Sequence, residues 1–121
     1  MEKLVLFILQ VRNQIQLLHW QTDSYAEHKA FDKYLDSILD TTDMLVESIS
    51  GKFRKVKFNG CAEITICDYS DMDILEYLEE VIKFYKTYSE NLKNDEDSEI
   101  KNLIDEVVVE TQKLKYLLTL K

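Results

Sequence analysis

The sequence contains no proline and only two glycines, Gly51 and Gly60. A sandwich or barrel of many short strands would lack its turn residues in such a chain, so helices are expected. Cysteine is equally scarce. Cys61 and Cys67 have no C-x-x-C spacing, no second pair and no neighbouring histidine. That removes zinc-binding and thioredoxin-like readings and leaves reduced, partly buried thiols as the expectation. Long hydrophobic runs are missing too. The stretch Leu4 to Leu9 is too short to span a membrane, and Gln10, Arg12 and Asn13 follow it where a signal peptide would carry small residues. An intracellular, cytoplasmic and soluble protein with no membrane partner is expected. Basic residues are in the minority, 15 against 23 acids, for a net charge of −8. Such a surface repels phosphate backbones and tolerates hard cations, so nucleic acid is not an expected partner.

What the sequence does contain is helical patterning. Its 121 residues suffice for one domain, and a 45% apolar share with 31% charged residues is enough to bury a core. Four stretches carry apolar residues at alternating spacings of four and three. Helix A shows Leu4, Ile8, Val11, Ile15 and Leu18. Helix B shows Phe31, Leu35, Ile38, Leu45 and Ile49, with Thr42 filling one place. Helix C shows Ile74, Leu78, Val81, Tyr85, Tyr88 and Leu92. Helix D shows Ile100, Ile104, Val107, Leu114 and Leu118, with Thr111 in the series. The predicted helices cover about 2–22, 25–50, 71–93 and 98–120, a single all-α four-helix bundle domain.

The punctuation agrees. Ser24-Tyr25-Ala26-Glu27 reads as a capping box at the start of helix B, Gly51 suits a left-handed position after it, and Ser70 with Asp71 and Asp73 opens helix C. Short A-B and C-D turns make antiparallel hairpins. The B-C connection, Lys52 to Tyr69, is longer. At about 3.3 Å per extended residue it can reach roughly 60 Å, against about 35 Å for a 23-residue helix, so it can cross the whole bundle. The alternative is a small hairpin turned by Asn59-Gly60, which would leave helix C antiparallel to helix B. Lys52, Arg54, Lys55 and Lys57 form the one basic cluster, placed to meet the dipole at the end of helix B.

Chemistry is concentrated around the A-B turn. Both histidines, His19 and His28, flank it. His28, Asp32, Asp43 and Glu47 then fall within about 100° on one side of helix B, beside the apolar stripe. Carboxylates beside core positions are costly unless paired, hydrated or bound to metal. His28 and Asp43 are nonetheless about 22 Å apart along the helix, beyond the reach of one ion. A second chain solves this. When two copies of helix B pack antiparallel about a two-fold axis, residues whose numbers add to a constant face each other, and the pairs 28 with 47 and 32 with 43 both add to 75. Two mixed imidazole and carboxylate sites, of the kind that bind iron, manganese or zinc, would follow. Leu6, Phe7 and Leu9, outside the helix A stripe, add apolar surface for a homodimer through helices A and B.

These residues also resemble a family. Leu18-His19-Trp20, then His28, Asp32, Asp43 and Glu47, is similar to the ferroxidase signature of the Dps proteins, the ferritin-like miniature ferritins. The resemblance covers Gln14 to Gly51. The stretch between the histidines is shorter than in that family and lacks its glycine. By the resemblance the fold would be a ferritin-like bundle with A-B and C-D hairpins and a long B-C crossover. His19, His28 and Asp32 would be ligands from one subunit, Asp43 and Glu47 ligands from its two-fold mate, and Trp20 a neighbour of the iron. Iron(II), with manganese or zinc as substitutes and no organic cofactor, would be oxidised by peroxide or oxygen for sequestration and peroxide protection, in a dimer or a larger oligomer. No basic N-terminal tail is present, so the DNA binding of some members is not carried over. The alternative is a dimeric bundle of the same ancestry that lacks catalysis and serves as an interaction or assembly module.

Overall fold

The computed structural model describes residues 1–120. Four helices form, α1 (Glu2–Gln21), α2 (Tyr25–Lys52), α3 (Ile74–Glu90) and α4 (Ser98–Leu118), with a 3-10 turn at Tyr69–Asp71 and no strand among the described residues. The stripes turn inward. Leu4, Ile15, Leu18, Phe31, Leu45, Leu78, Ile100 and Ile104 are completely buried in one cluster. Each such side chain contributes about 1.5–3 kcal/mol on leaving water, so packing rather than helix propensity holds the elements together. Two buried threonines are satisfied locally. The hydroxyls of Thr42 and Thr111 donate to the carbonyls of Ile38 (2.5 Å) and Val107 (2.8 Å), one turn back on their own helices. Thr111 also meets the hydroxyl of Tyr34 at 2.9 Å, and Tyr34 is a core residue that the stripe of helix B omitted.

Helix ends in α2 and α3 differ from expectation, and α4 stops at Leu118 rather than near 120. Helix α3 starts at Ile74, not near 71, because the carboxylate of Asp73 accepts the Glu76 N–H (3.1 Å) while Tyr69–Asp71 is spent on its own 3-10 turn. The same helix stops at Glu90, where the Asn91 side chain donates to the Thr87 carbonyl, so Leu92 packs on the core from the turn. Gly51 lies inside the last turn of α2, and the left-handed residues are Asn59 (φ 55°) and Gly60 (φ 132°). Helix α2 runs on to Lys52, whose ammonium bonds Asp97 (2.8 Å), Glu99 (3.1 Å) and the Glu96 carbonyl at the start of α4.

The segment between α2 and α3 follows α1 along its length. Arg54 grips both oxygens of Glu2 at 2.6 and 3.1 Å. Further on, the Thr65 N–H donates to Gln10 (3.1 Å), and the Tyr69 N–H donates to Gln21 (2.8 Å). Between them Gln14, only 2% exposed, donates to the Cys67 carbonyl (2.8 Å) and accepts the Cys67 N–H (2.7 Å). No strands pair across Asn59-Gly60 among the described residues, so the hairpin alternative does not form. Cys61 and Cys67 are free and exposed, not partly buried, because Cys67 is held through its backbone. Helix α2 packs against α1 and α4, and α3 against α4. Phe7, partly buried, stacks on Phe84 of α3 with ring centroids 3.8 Å apart, so it takes part in the bundle's own packing.

Two outcomes follow from these contacts. Gln14→Ala leaves both backbone groups of Cys67 without their partner and should lower stability by about 1–3 kcal/mol, read as a shift in the urea midpoint at constant slope. The second concerns acid. The guanidinium of Arg54 holds the Glu2 carboxyl well below its usual 4.5, at about 2, and hydrogen bonding to Lys52 holds Asp97 below 3.8. A depressed folded-state pKa stabilises the fold above the unfolded value, and that stabilisation is lost as pH falls through the folded one. Urea midpoints of wild type and Arg54→Ala should therefore differ by a constant amount above about pH 5 and converge toward pH 2.

Candidate functional site

The A-B turn is closed without a left-handed residue. Thr22 and Ser24 both take extended backbone, the Thr22 N–H caps α1 on the Leu18 carbonyl (3.0 Å), and the Ser24 hydroxyl accepts the Glu27 N–H (3.2 Å) to start α2. His19 therefore stands in the last turn of α1, directly across from His28 in the first turn of α2. Their rings stack, with centroids 3.8 Å apart and planes 16° from parallel. Each Nδ1 lies 2.8 Å from the other residue's backbone carbonyl. A carbonyl can only accept, so Nδ1 carries the proton in both rings. In the neutral ring Nε2 then keeps its lone pair, which is the arrangement that prepares an imidazole to bind metal.

The stacking limits how that lone pair can be used. Each Nε2 lone pair lies in its own ring plane, and nearly parallel planes separated by a stacking distance do not meet at a bond length of about 2.0–2.1 Å from both nitrogens. As the rings stand, no single ion can lie in both ring planes.

The carboxylates lie elsewhere. Asp32 is exposed one turn further along α2 and lines a groove between α1 and α2 with Arg12, Gln16, Leu35, Asp36 and Leu39. Asp43 and Glu47 are exposed still further along the helix. The chain brings His19 and His28 together and leaves Asp32, Asp43 and Glu47 apart from them. Among the described residues no group of three or more histidine, cysteine or acidic side chains is placed to hold an ion. Trp20, beside His19, is 71% exposed, and Leu9 and Leu39 on the same flank of the helix pair are 38% and 45% exposed.

One residue of the site has a different role from the one its position suggests. In a capping box the carboxylate of Glu27 would return to the Ser24 N–H. That N–H donates instead to the Thr22 hydroxyl (3.1 Å). Glu27 is left to accept two hydroxyls on one oxygen, from Thr22 at 2.6 Å and from Tyr69 at 2.7 Å. The bond to Glu27, with burial, pushes the Tyr69 phenol above its usual range. No spacing in the sequence signals this contact, because Tyr69 arrives from the far end of the crossover.

A family model, that of the family of unknown function DUF5856, matches residues 19–118, and the chain belongs to that family. The matched stretch contains both histidines and all three carboxylates. No curated protein and no solved structure matches the chain.

The tautomer assignment is directly measurable. At about pH 8, long-range nitrogen–proton correlation spectra should show a protonated Nδ1 and a bare Nε2 in both rings. Protonated Nε2 in either ring would contradict the reciprocal bonding.

Proposed function

We propose that this DUF5856 member binds iron(II) at sites shared across a two-fold dimer of ferritin-like bundles and delivers the electrons to peroxide or oxygen, as its resemblance to the Dps family implies. The observation that carries the reading is the histidine pair, two imidazoles fixed with Nδ1–H on backbone carbonyls. Several features support the rest. The segment that tracks α1 from Glu2 to Gln21, and the packing of α2 against α4, fit a bundle of two hairpins joined by a long crossover. Asp32, Asp43 and Glu47 are all exposed on the flank of α2 that would face a two-fold mate, and Leu9, Leu39 and Trp20 give that flank apolar surface.

The donor set suits the substrate. Imidazole nitrogens and carboxylates bind iron(II), and carboxylate charge favours the iron(III) product. Two rings that each address their own ion match the electron count of the reaction, since peroxide needs two electrons to become water and each iron(II) gives one. In the proposed dimer His19, His28 and Asp32 come from one protomer, and Asp43 and Glu47 from its partner.

Asp43→Asn and Glu47→Gln keep side-chain shape and remove a negative ligand. Each should slow peroxide-dependent iron(II) oxidation, followed by ultraviolet absorbance, by at least about tenfold with helicity unchanged. Mixing His28→Ala chains with Glu47→Gln chains should restore activity, because one of the two sites of the mixed dimer then has every ligand intact. No rescue after confirmed subunit exchange would refute the shared site. A dimer without bound metal or accelerated oxidation would indicate an assembly module instead.

A further inference from the structure

Glu27 makes no bond to either histidine and is not among the proposed ligands, yet it ties together everything around them. Its Oε1 accepts the hydroxyl of Thr22, the residue that terminates α1, and the hydroxyl of Tyr69, the residue on which the crossover arrives. Its own N–H is held by Ser24, and the next residue in the chain is His28. Tyr69 is itself fixed through its N–H to Gln21, two residues beyond His19.

The histidine pair depends on this region in an unusual way. Each imidazole is held by a backbone carbonyl of the opposite helix, so both bonds fail together when α1 and α2 separate or slide at the turn. A short loop without internal strand or helix has few contacts of its own to prevent that. The hydroxyl-to-carboxylate bonds at 2.6 and 2.7 Å are of the short, charge-assisted kind, and they span the turn from both sides.

We infer that Glu27 is a positioning residue for the histidine pair, joining the end of the crossover to the A-B turn so that the His19 and His28 carbonyls stay in register with the opposing imidazoles. The inference rests on the proposed function only for the use to which the pair is put. It makes the crossover part of the site: a change that lifts Tyr69 away loosens the imidazoles without touching them.

The test uses the metal-free chain, labelled with nitrogen-15, at about pH 8, and reads the exchange of the two Nδ1 protons with water. Glu27→Ala and Tyr69→Phe should each speed that exchange by about tenfold or more, while amide protection in α3 and α4 stays as in wild type. Glu27→Gln, which keeps an oxygen able to accept both hydroxyls, should remain within about twofold of wild type. Wild-type exchange in Glu27→Ala would overturn the inference. So would a parallel loss of protection throughout α3 and α4 in Glu27→Ala and Tyr69→Phe, which would make Glu27 a general stabiliser. Because no metal is present, a chain that shows the expected pattern and never oxidises iron(II) would remove the ferroxidase reading and leave the role of Glu27 standing.

Discussion

A buried amide that must satisfy both its ends governs how this chain is laid out. Gln14 sits on α1 almost without solvent, and an amide in that position is costly unless its carbonyl and its NH₂ both find partners. The backbone of one extended residue offers an acceptor and a donor side by side, and Cys67 supplies both. That match sets the register of the crossover on α1, with Gln10 and Gln21 taking Thr65 and Tyr69 on either side. Once the register is set, α3 must begin at the end of the bundle where α2 began. Helix α4 can then return antiparallel to α2, with its start at Lys52 and its Thr111 against Tyr34.

The helices were legible because burial repeats with the helical period. Leu4, Ile8, Val11, Ile15 and Leu18 could be read as one inward face before any partner was known, and the serine cap at Ser24 could be read from its spacing to Glu27. The crossover was legible only as reach. Gln10, Gln14 and Gln21 lie on one face of α1, but a row of amides under an extended segment looks in sequence like any wet face. Asp97 was hidden in the same way. Within the polar run from Asn94 to Ser98 nothing distinguishes the one acid that is buried between the Lys93 N–H and the Lys52 ammonium. Gly51 misled for a related reason: glycine permits a left-handed end without requiring one, and the ion pairs of Lys52 reward another turn of helix.

At the site the division is similar. That His19 and His28 come level follows from the position of the turn, and the structure places them ring against ring. Their reciprocal bonds depend on carbonyl directions in the last turn of one helix and the first turn of the next, which spacing does not encode. The placement of Asp32, Asp43 and Glu47 on one side of α2 was legible as angle, and their distance from the histidines as rise.

The short turn and the absent glycine, which distinguish this chain from the Dps pattern, have a common physical cause. Thr22 and Ser24 close the A-B connection in extended conformations, and the left-handed residues of the chain lie far away at Asn59 and Gly60. A loop without a left-handed turn needs no glycine, and a tighter loop draws the ends of the two helices together until the imidazoles touch. The contact has consequences for chemistry. Rings in parallel contact cannot chelate one ion in their own planes, so any metal chemistry at this pair begins either from two ions or from the turning of one ring. Turning a ring breaks an Nδ1 bond to a carbonyl, and the backbone that presents that carbonyl is held by Thr22, Glu27 and Tyr69. The stiffness of that three-residue hydroxyl and carboxylate cluster therefore bears directly on how freely either ring can turn.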